Sequence, residues 1–396
     1  MKKRSITTTV ALMLLAAAVS FSITLSVCSS RFNDQLHDLD ALVLEHKKIA
    51  EVQSAIDQYY VNAYDRDLVA EGAAVGMVAY LGDPWSYYLN PEQYQEFQSS
   101  LNNELVGIGV NVIQDVDTGG ILIVDVYQGS PAEKSGIRVQ DIVVKVDGVP
   151  VTELGYEQAI NAIRGNEGTQ VALTYITSGG KEETVNITRR RMEIESVTSR
   201  ILDGNLGYVK ITNFDLNVDK KFSDIMKKMQ KAQVSGVIFD VRNNPGGALQ
   251  SLLNMLDELL PECVMLKQVD KAGNEEVFRS DTEEYSIPLA VLVNQSSISA
   301  AEFFAASLQE HGKATVVGMP TSGKGCSQVP IPLSDGSAVV LSVNKYYTAG
   351  GIDLAAQGGI QPDVLVEISS EEMRENYTRP LTEDRQVQAA IQALQK

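Results

Sequence analysis

The chain has 396 residues, 44% apolar and 21% charged, a composition that excludes disorder and a length that suits two or three domains. A formal charge of −18 repels phosphate and so excludes nucleic acid as a partner drawn in by the overall field. Three cysteines without a C-x-x-C pair and three scattered histidines exclude a disulfide framework and a zinc site, so no metal or cofactor is expected.

At the N-terminus Lys2, Lys3 and Arg4 precede an uncharged run from Ser5 to Ser30, most apolar between Val10 and Val19. Roughly 20 apolar residues span a bilayer, and a basic flank stays in the cytoplasm. Residues 1–30 therefore read as a membrane anchor. A cleaved signal segment has a shorter apolar stretch, ~7–15 residues, and would release the chain instead. Val27 stands where a lipoprotein signal ending at Cys28 needs a small residue. Under either reading the bulk of the chain is extracytoplasmic.

Residues 31–103 form a helical region. Leu42, Ile49, Val52, Ile56 and Tyr60 recur at helical spacing. Gly82-Asp83-Pro84-Trp85 breaks the pattern, and Asn90-Pro91 starts a new helix with proline in its first turn. Residues 104–190 are a compact β-rich module. Its predicted strands are Val106–Ile113, Ile121–Val126, Ile142–Val146, Val171–Ile176 and Glu183–Ile187, several of them divided by glycine turns. Two short helices interrupt them, one starting at Ser130-Pro131 and the other over Tyr156–Ile163. Residues 191–396 alternate strands with helices. The strands are Leu206–Ile211, Val237–Val241, Leu289–Val293, Thr315–Val317 and Val339–Val343, and the helices Val218–Lys231, Ala248–Leu260 and Ala300–Glu310. That alternation predicts an α/β layer.

Three segments carry chemistry. Asn294 to Glu302 joins a buried strand to a helix, where unpaired N–H groups and the helix dipole can hold an oxyanion beside Ser299. Ser299-Ala-Ala-Glu302 is also a capping box, which needs no catalysis. Thr321-Ser-Gly-Lys-Gly325 places Lys324 in a tight turn, and burial there would lower its pKa enough for it to act as a base. Asp240 to Gly247 is a Gly-rich strand-to-helix turn able to present N–H groups to an anion. A phosphate-binding loop is excluded around Gly318–Gly325, because position 325 is glycine where the motif needs a hydroxyl and prolines follow at once. No G-x-S-x-G elbow occurs, and only His311 lies in the α/β region, so lysine is the better base. In the smaller module, Val106-Gly107-Ile108-Gly109 is a backbone-rich loop that can capture a terminal carboxylate while the peptide's strand joins a sheet edge.

Taken in order, Gly82–Trp85, 106–110, Gly207–Lys210, Asp240–Gly247, Ser297–Glu302, Gly323–Gly325 and Gly359–Asp363 resemble the carboxyl-terminal processing peptidase family. The resemblance covers nearly everything but residues 1–37. It implies a multidomain α/β (α+β) protein, with a PDZ β-module inserted between an N-terminal helical region and an α/β serine peptidase core. The family's nucleophile lies 25 residues before its lysine, which assigns Ser299 to Lys324. Gln328 would orient the lysine, and the amides of Ala300 and of Gly246 or Gly247 would form the oxyanion hole. Substrates would be proteins held by their C-terminal tails, with Arg164, at the end of the second PDZ helix, a possible regulator. The competing class is a non-catalytic PDZ scaffold that binds tails without cutting. The sequence departs from the family at Ala301, at Cys326-Ser327 and at Ala349–Ile352. Helices at both ends suggest a homodimer.

Overall fold

The computed structural model describes residues 46–101, 104–377 and 379–395. The anchor expected over 1–30 lies outside them, as does Leu42. Among the described residues no helix is long and apolar enough to cross a membrane.

The first compact unit ends at Met77. It holds helix α1 (46–59) and most of α2 (Arg66–Ala79). Asp57 on α1 pairs with Arg66 and accepts from the Tyr64 hydroxyl, which closes the turn between the helices. Of the predicted apolar stripe, Ile49, Val52 and Tyr60 are exposed.

The second unit begins with a strap. After α2, β1 (Tyr87–Leu89) pairs with β18, described below. In α3 (Pro91–Leu101), Asn90 and Gln93 cap each other reciprocally, with Pro91 in the first turn as predicted.

The β-rich module follows. It comprises β2 (Glu104–Gly107), β3 (Val110–Gln114), β4 (Ile121–Val126), α4 (Pro131–Lys134), β5 (Ile142–Val146), β6 (Val149–Pro150), α5 (Val151–Leu154), α6 (Tyr156–Ile163), β7 (Gln170–Ile176), β8 (Glu182–Thr188) and β9 (Arg190–Glu193). Its sheet runs β3-β4-β5-β7-β8, with β6 on β5, and buries Ile121, Ile123, Val143, Val171, Leu173 and Ile187. The predicted continuous strand Val106–Ile113 is two strands. The break falls at Ile108-Gly109, where Gly109 takes φ +82° and a Cβ would lie 2.4 Å from the Ser130 Cβ. Residues before the break belong to a separate ribbon in which β2 pairs with β9.

The remainder is a two-layer core. Its elements are β10 (Val197–Leu202), β11 (Leu206–Ile211), α7 (Val218–Lys231), β12 (Gly236–Asp240), α8 (Leu249–Asp257), β13 (Val264–Asp270), β14 (Glu275–Arg279), β15 (Leu289–Val293) and α9 (Ala300–Glu310). Then come β16 (Ala314–Gly318), β17 (Cys326–Pro332), β18 (Ala338–Thr348), α10 (Leu354–Gln357), β19 (Val364–Leu365), α11 (Ser370–Glu375) and α12 (Arg385–Leu394). The main sheet has the order β10-β11-β12-β15-β16-β19, parallel from β11 onward. Its inner strands β11, β12, β15 and β16 are largely apolar on both faces because both are covered. Val237, Phe239, Val291 and Val293 point into the larger cluster with α7, α8 and α9, while Ile238, Ala290 and Leu292 point toward α12. Val339–Val343, expected in this layer, belongs instead to a second, antiparallel sheet. There β18 is flanked by β13, β1 and β17. Its buried and half-buried positions alternate only toward the two ends of its eleven residues. Helix α9 is buried between the two sheets, with Phe304 against Phe239 and Phe303 against Tyr346.

Candidate active site

Two loops leave the carboxyl ends of the neighbouring parallel strands β12 and β15 and are laced together. Asn294 Oδ1 accepts from the Asn243 amide (3.0 Å), and Asn294 Nδ2 donates to Asn243 Oδ1 (2.8 Å). Ser297 Oγ donates to the Val241 carbonyl (2.8 Å), and the Ile298 amide to the Asn244 carbonyl (2.9 Å). This lacing brings Ser299 to the start of α9 with φ +57° and ψ −116°. An L-residue with positive φ is strained, and such strain persists only where surrounding contacts over-determine it. One of those contacts is Gly246, where a Cβ would lie 2.9 Å from the Ser299 Cβ and 3.1 Å from the Ala300 nitrogen.

Glu302, one turn into α9, is fully buried. Its Oε2 accepts from the Ser299 amide (2.8 Å), which is one half of the anticipated capping box. The same oxygen accepts from the Lys324 amide (2.9 Å), and Oε1 accepts from the Gly323 amide (2.7 Å) and the Thr321 hydroxyl (2.6 Å). The backbone nitrogens of Ser299 and Lys324 therefore hang on a single oxygen atom. Glu302 is thus more than a cap. Its signal in the sequence is an isolated charge inside the otherwise apolar stretch Ala300–Ala306.

The Lys324 side chain is 9% exposed. Its amine donates to Gln328 Oε1, and Gln328 Nε2 donates to the Trp85 carbonyl. The Trp85 ring lies 4.9 Å from the amine. A register shift between Ser327 and Gln328 in the β17–β18 pairing turns Gln328 toward the lysine. Burial lowers the lysine pKa from its ordinary value, against the opposing pull of Cys326, Glu302 and Asp83. Burial in turn raises the Cys326 thiol.

Behind the 241–247 loop lies a buried charge network. Arg242 makes two bonds to Asp240 (2.9 and 2.6 Å) and bonds to Asp384 (2.8 Å) and Gln386 (2.9 Å), while the Tyr208 hydroxyl donates to Asp240 (2.6 Å). Burial works against the Asp240 charge, yet the Arg242 guanidinium holds its pKa below the ordinary carboxylate value. Of the candidate anion donors, the Gly246 amide is given to Asn244 Oδ1 (2.8 Å). The Ala300 and Gly247 amides have no acceptor among the described residues.

In the β-rich module, Val106, Gly107, Ile108 and Gly109 line a groove of about 310 Å³ together with α6. Arg164 stands on its rim, exposed. The carbonyls ending α6 are met by another arginine that the sequence did not single out. Buried Arg189 donates to the carbonyls of Ile163 (2.9 Å), Ala162 (2.7 Å) and Gln170 (2.8 Å). Among the described residues no cluster of His, Cys, Asp and Glu could hold a metal ion.

The profile of peptidase family S41 matches residues 205–366, and a PDZ domain profile matches residues 122–177. The activating protease CtpB N-terminal domain matches residues 14–93. The carboxy-terminal processing protease CtpA of Bacillus subtilis (strain 168) is 35% identical over 323 residues, which is 81% of this chain and 69% of that protein. This chain belongs to the carboxy-terminal processing proteases of family S41. The CtpB protease of the same organism is 30% identical, covering 81% of this chain and 67% of its own. The solved photosystem II D1 C-terminal processing protease superposes with a TM-score of 0.52 at 26% identity, over 80% of this chain and 86% of that one. The S41 chain is therefore a peptidase, with a PDZ module between its N-terminal region and its α/β core. Membership in a protease family speaks against the non-catalytic scaffold.

Proposed function

We propose that the protein cleaves extracytoplasmic protein substrates held by their C-terminal tails, through an acyl-enzyme on Ser299 with Lys324 as general base. The observation that carries this reading is the shared Glu302 oxygen. It binds the backbone of both residues in one unit, with the lysine buried and its pKa lowered. Neutral Lys324 takes the hydroxyl proton as Ser299 Oγ bonds to the substrate carbonyl carbon. The oxyanion is held by the Ala300 and Gly247 amides, whose hydrogens have no other described acceptor. Gly246 shapes the loop behind them. Lys324 then gives its proton to the leaving amine, and water, deprotonated by the same lysine, splits the ester.

The groove at Val106–Gly109 supports tail capture, because this segment lines a largely apolar cavity beside α6. Arg164, exposed on that rim, is the candidate regulator. The basic and apolar N-terminus supports a membrane-anchored chain with its catalytic part outside the cytoplasm. The exposed stripe Ile49, Val52 and Tyr60 supports a homodimer.

The test is cleavage of an unstructured protein with an apolar C-terminus by the purified chain. Cleavage is expected from the wild type and from neither Ser299→Ala nor Lys324→Ala. A Ser299→Ala protein that still cuts would refute the mechanism.

A further inference from the structure

Trp85 precedes the PDZ module by about twenty residues, yet it meets the side chain of Lys324. The strap that carries it is fixed at several points. The Trp85 amide donates to Asp83 Oδ1 (3.0 Å), the Ser86 hydroxyl donates to Asp83 Oδ2 (2.5 Å), and the Ser342 amide donates to Ser86 Oγ (3.0 Å). Immediately beyond, Tyr87–Leu89 pairs with β18, which also pairs with the strand bearing Gln328.

A carboxamide can face a lysine by either end, and the two ends have opposite consequences. If its NH2 group faced the amine it would donate into the nitrogen lone pair and occupy the electrons a base needs. If its oxygen faces the amine, the amine spends an N–H bond and keeps its lone pair. The Trp85 carbonyl can only accept, so it selects the Gln328 Nε2 end and leaves Oε1 for Lys324. The indole meanwhile lies over the amine and borders a cavity of about 590 Å³ that also includes Cys326 and Ser342.

We infer that Trp85 is a positioning residue for Lys324: its carbonyl fixes the polarity of the Gln328 amide, so that the lysine lone pair stays free, and its ring shields the amine from water. The inference rests on Lys324 being the general base. The ring has two opposed effects. Its face attracts an ammonium, and its bulk excludes the water that would solvate one. Burial is the leading influence on this lysine and lowers its pKa, and the ring is one of the groups that bury it. The charged and titratable groups facing the amine are Asp83 from the strap, Glu302 from α9 and Cys326 two residues along the chain. Asp270, Lys271, Lys345 and Asp353 line the cavity beyond.

Trp85 is the only tryptophan in the chain, so its emission is a direct reporter. A charge appearing beside an indole shifts that emission. In the full-length wild type, emission should titrate with the same midpoint as the acid limb of kcat/KM. Lys324→Met should abolish the titration, and Cys326→Ser should leave it in place, which separates the amine from the neighbouring thiol. Trp85→Ala should lower kcat/KM on the order of 10²-fold, as a misplaced catalytic group does, and move the acid limb to higher pH. Trp85→Phe, which keeps an aromatic face, should retain activity within about tenfold.

Emission indifferent to Lys324→Met, or a folded Trp85→Ala protein with unchanged kcat/KM and pH profile, would overturn the ring's part. Gln328→Glu, which has no N–H to give the Trp85 carbonyl, should lower kcat/KM, and unchanged activity there would overturn the carbonyl's part. If Trp85→Ala does not fold, the wild-type and Lys324→Met titrations decide alone. Continued cleavage by Ser299→Ala would remove the Ser–Lys mechanism without touching the emission result, so the two failures are distinct.

Discussion

Ser299 and Lys324 hang their backbone amides on one oxygen of Glu302, at 2.8 and 2.9 Å. Nucleophile and base candidates 25 residues apart in sequence are thereby one mechanical unit. Glu302→Gln is nearly isosteric, but it replaces one acceptor oxygen with an NH2 group that must face amide or hydroxyl donors. Leaving such buried donors unpaired costs about 1–3 kcal/mol. The variant should lose that much stability in urea unfolding and lose activity on the order of 10²-fold from displaced groups. Glu302→Asp, too short to span both loops, should not restore it.

Gly246→Ala places a methyl group 2.8 Å from the Ile298 carbonyl and 2.9 Å from the Ser299 Cβ, on a backbone with φ +99°. Both the contact and the backbone strain oppose it, at roughly 1–3 kcal/mol for the strain alone. The expected result is a folded, less stable protein in which Ser299 no longer reaches a covalent serine-directed probe. Intact-mass measurement of labelling checks this.

With Lys324 as the proposed base, one titration governs both activity and stability, and both rise with pH. Its native pKa lies below the ordinary lysine value of about 10.4, because burial disfavours the charge. Between the native and unfolded pKa the unfolded chain binds more protons, so stability rises with pH across that window and is lowest below it. Activity should rise over the lower part of the same window, as the native amine loses its proton. Lys324→Met should therefore be inactive yet more stable at neutral pH, by about 1 kcal/mol. That gain should vanish in alkaline solution, which thermal unfolding at several pH values would show.

Arg242 is shared by Asp240 and Asp384, all three nearly buried. Arg242→Leu removes the cation that pairs with both buried carboxylates, a loss of about 3–5 kcal/mol. Because Asp384 also caps α12 through the Gln386 amide (2.9 Å), the C-terminal helix should loosen along with the 241–247 loop. Hydrogen exchange should show both segments losing protection together.

Much of this was legible in the sequence because it was local. Ile121–Val126, Ile142–Val146, Tyr156–Ile163, Leu206–Ile211, Val218–Lys231, Leu289–Val293 and Ala300–Glu310 fall on their predicted bounds, since each is a periodic apolar run ended by turn chemistry. What escaped was set by distant partners. Strands β1, β13 and β14 are short or half polar and exist through pairing in the second sheet, which no local pattern announces. Trp85 looked like part of a breaker, and its meeting with Lys324 depends on a strand pairing across some 250 residues. Arg189 escaped for the same reason, as its carbonyl partners lie about twenty to thirty residues earlier.

The ribbon of β2 and β9 sets Gly107 directly opposite Arg190, so the chain enters and leaves the PDZ module on adjacent strands. To the rest of the fold, everything between those two residues is one long hairpin loop. The ribbon is thus the seam at which the PDZ module joins the rest of the chain.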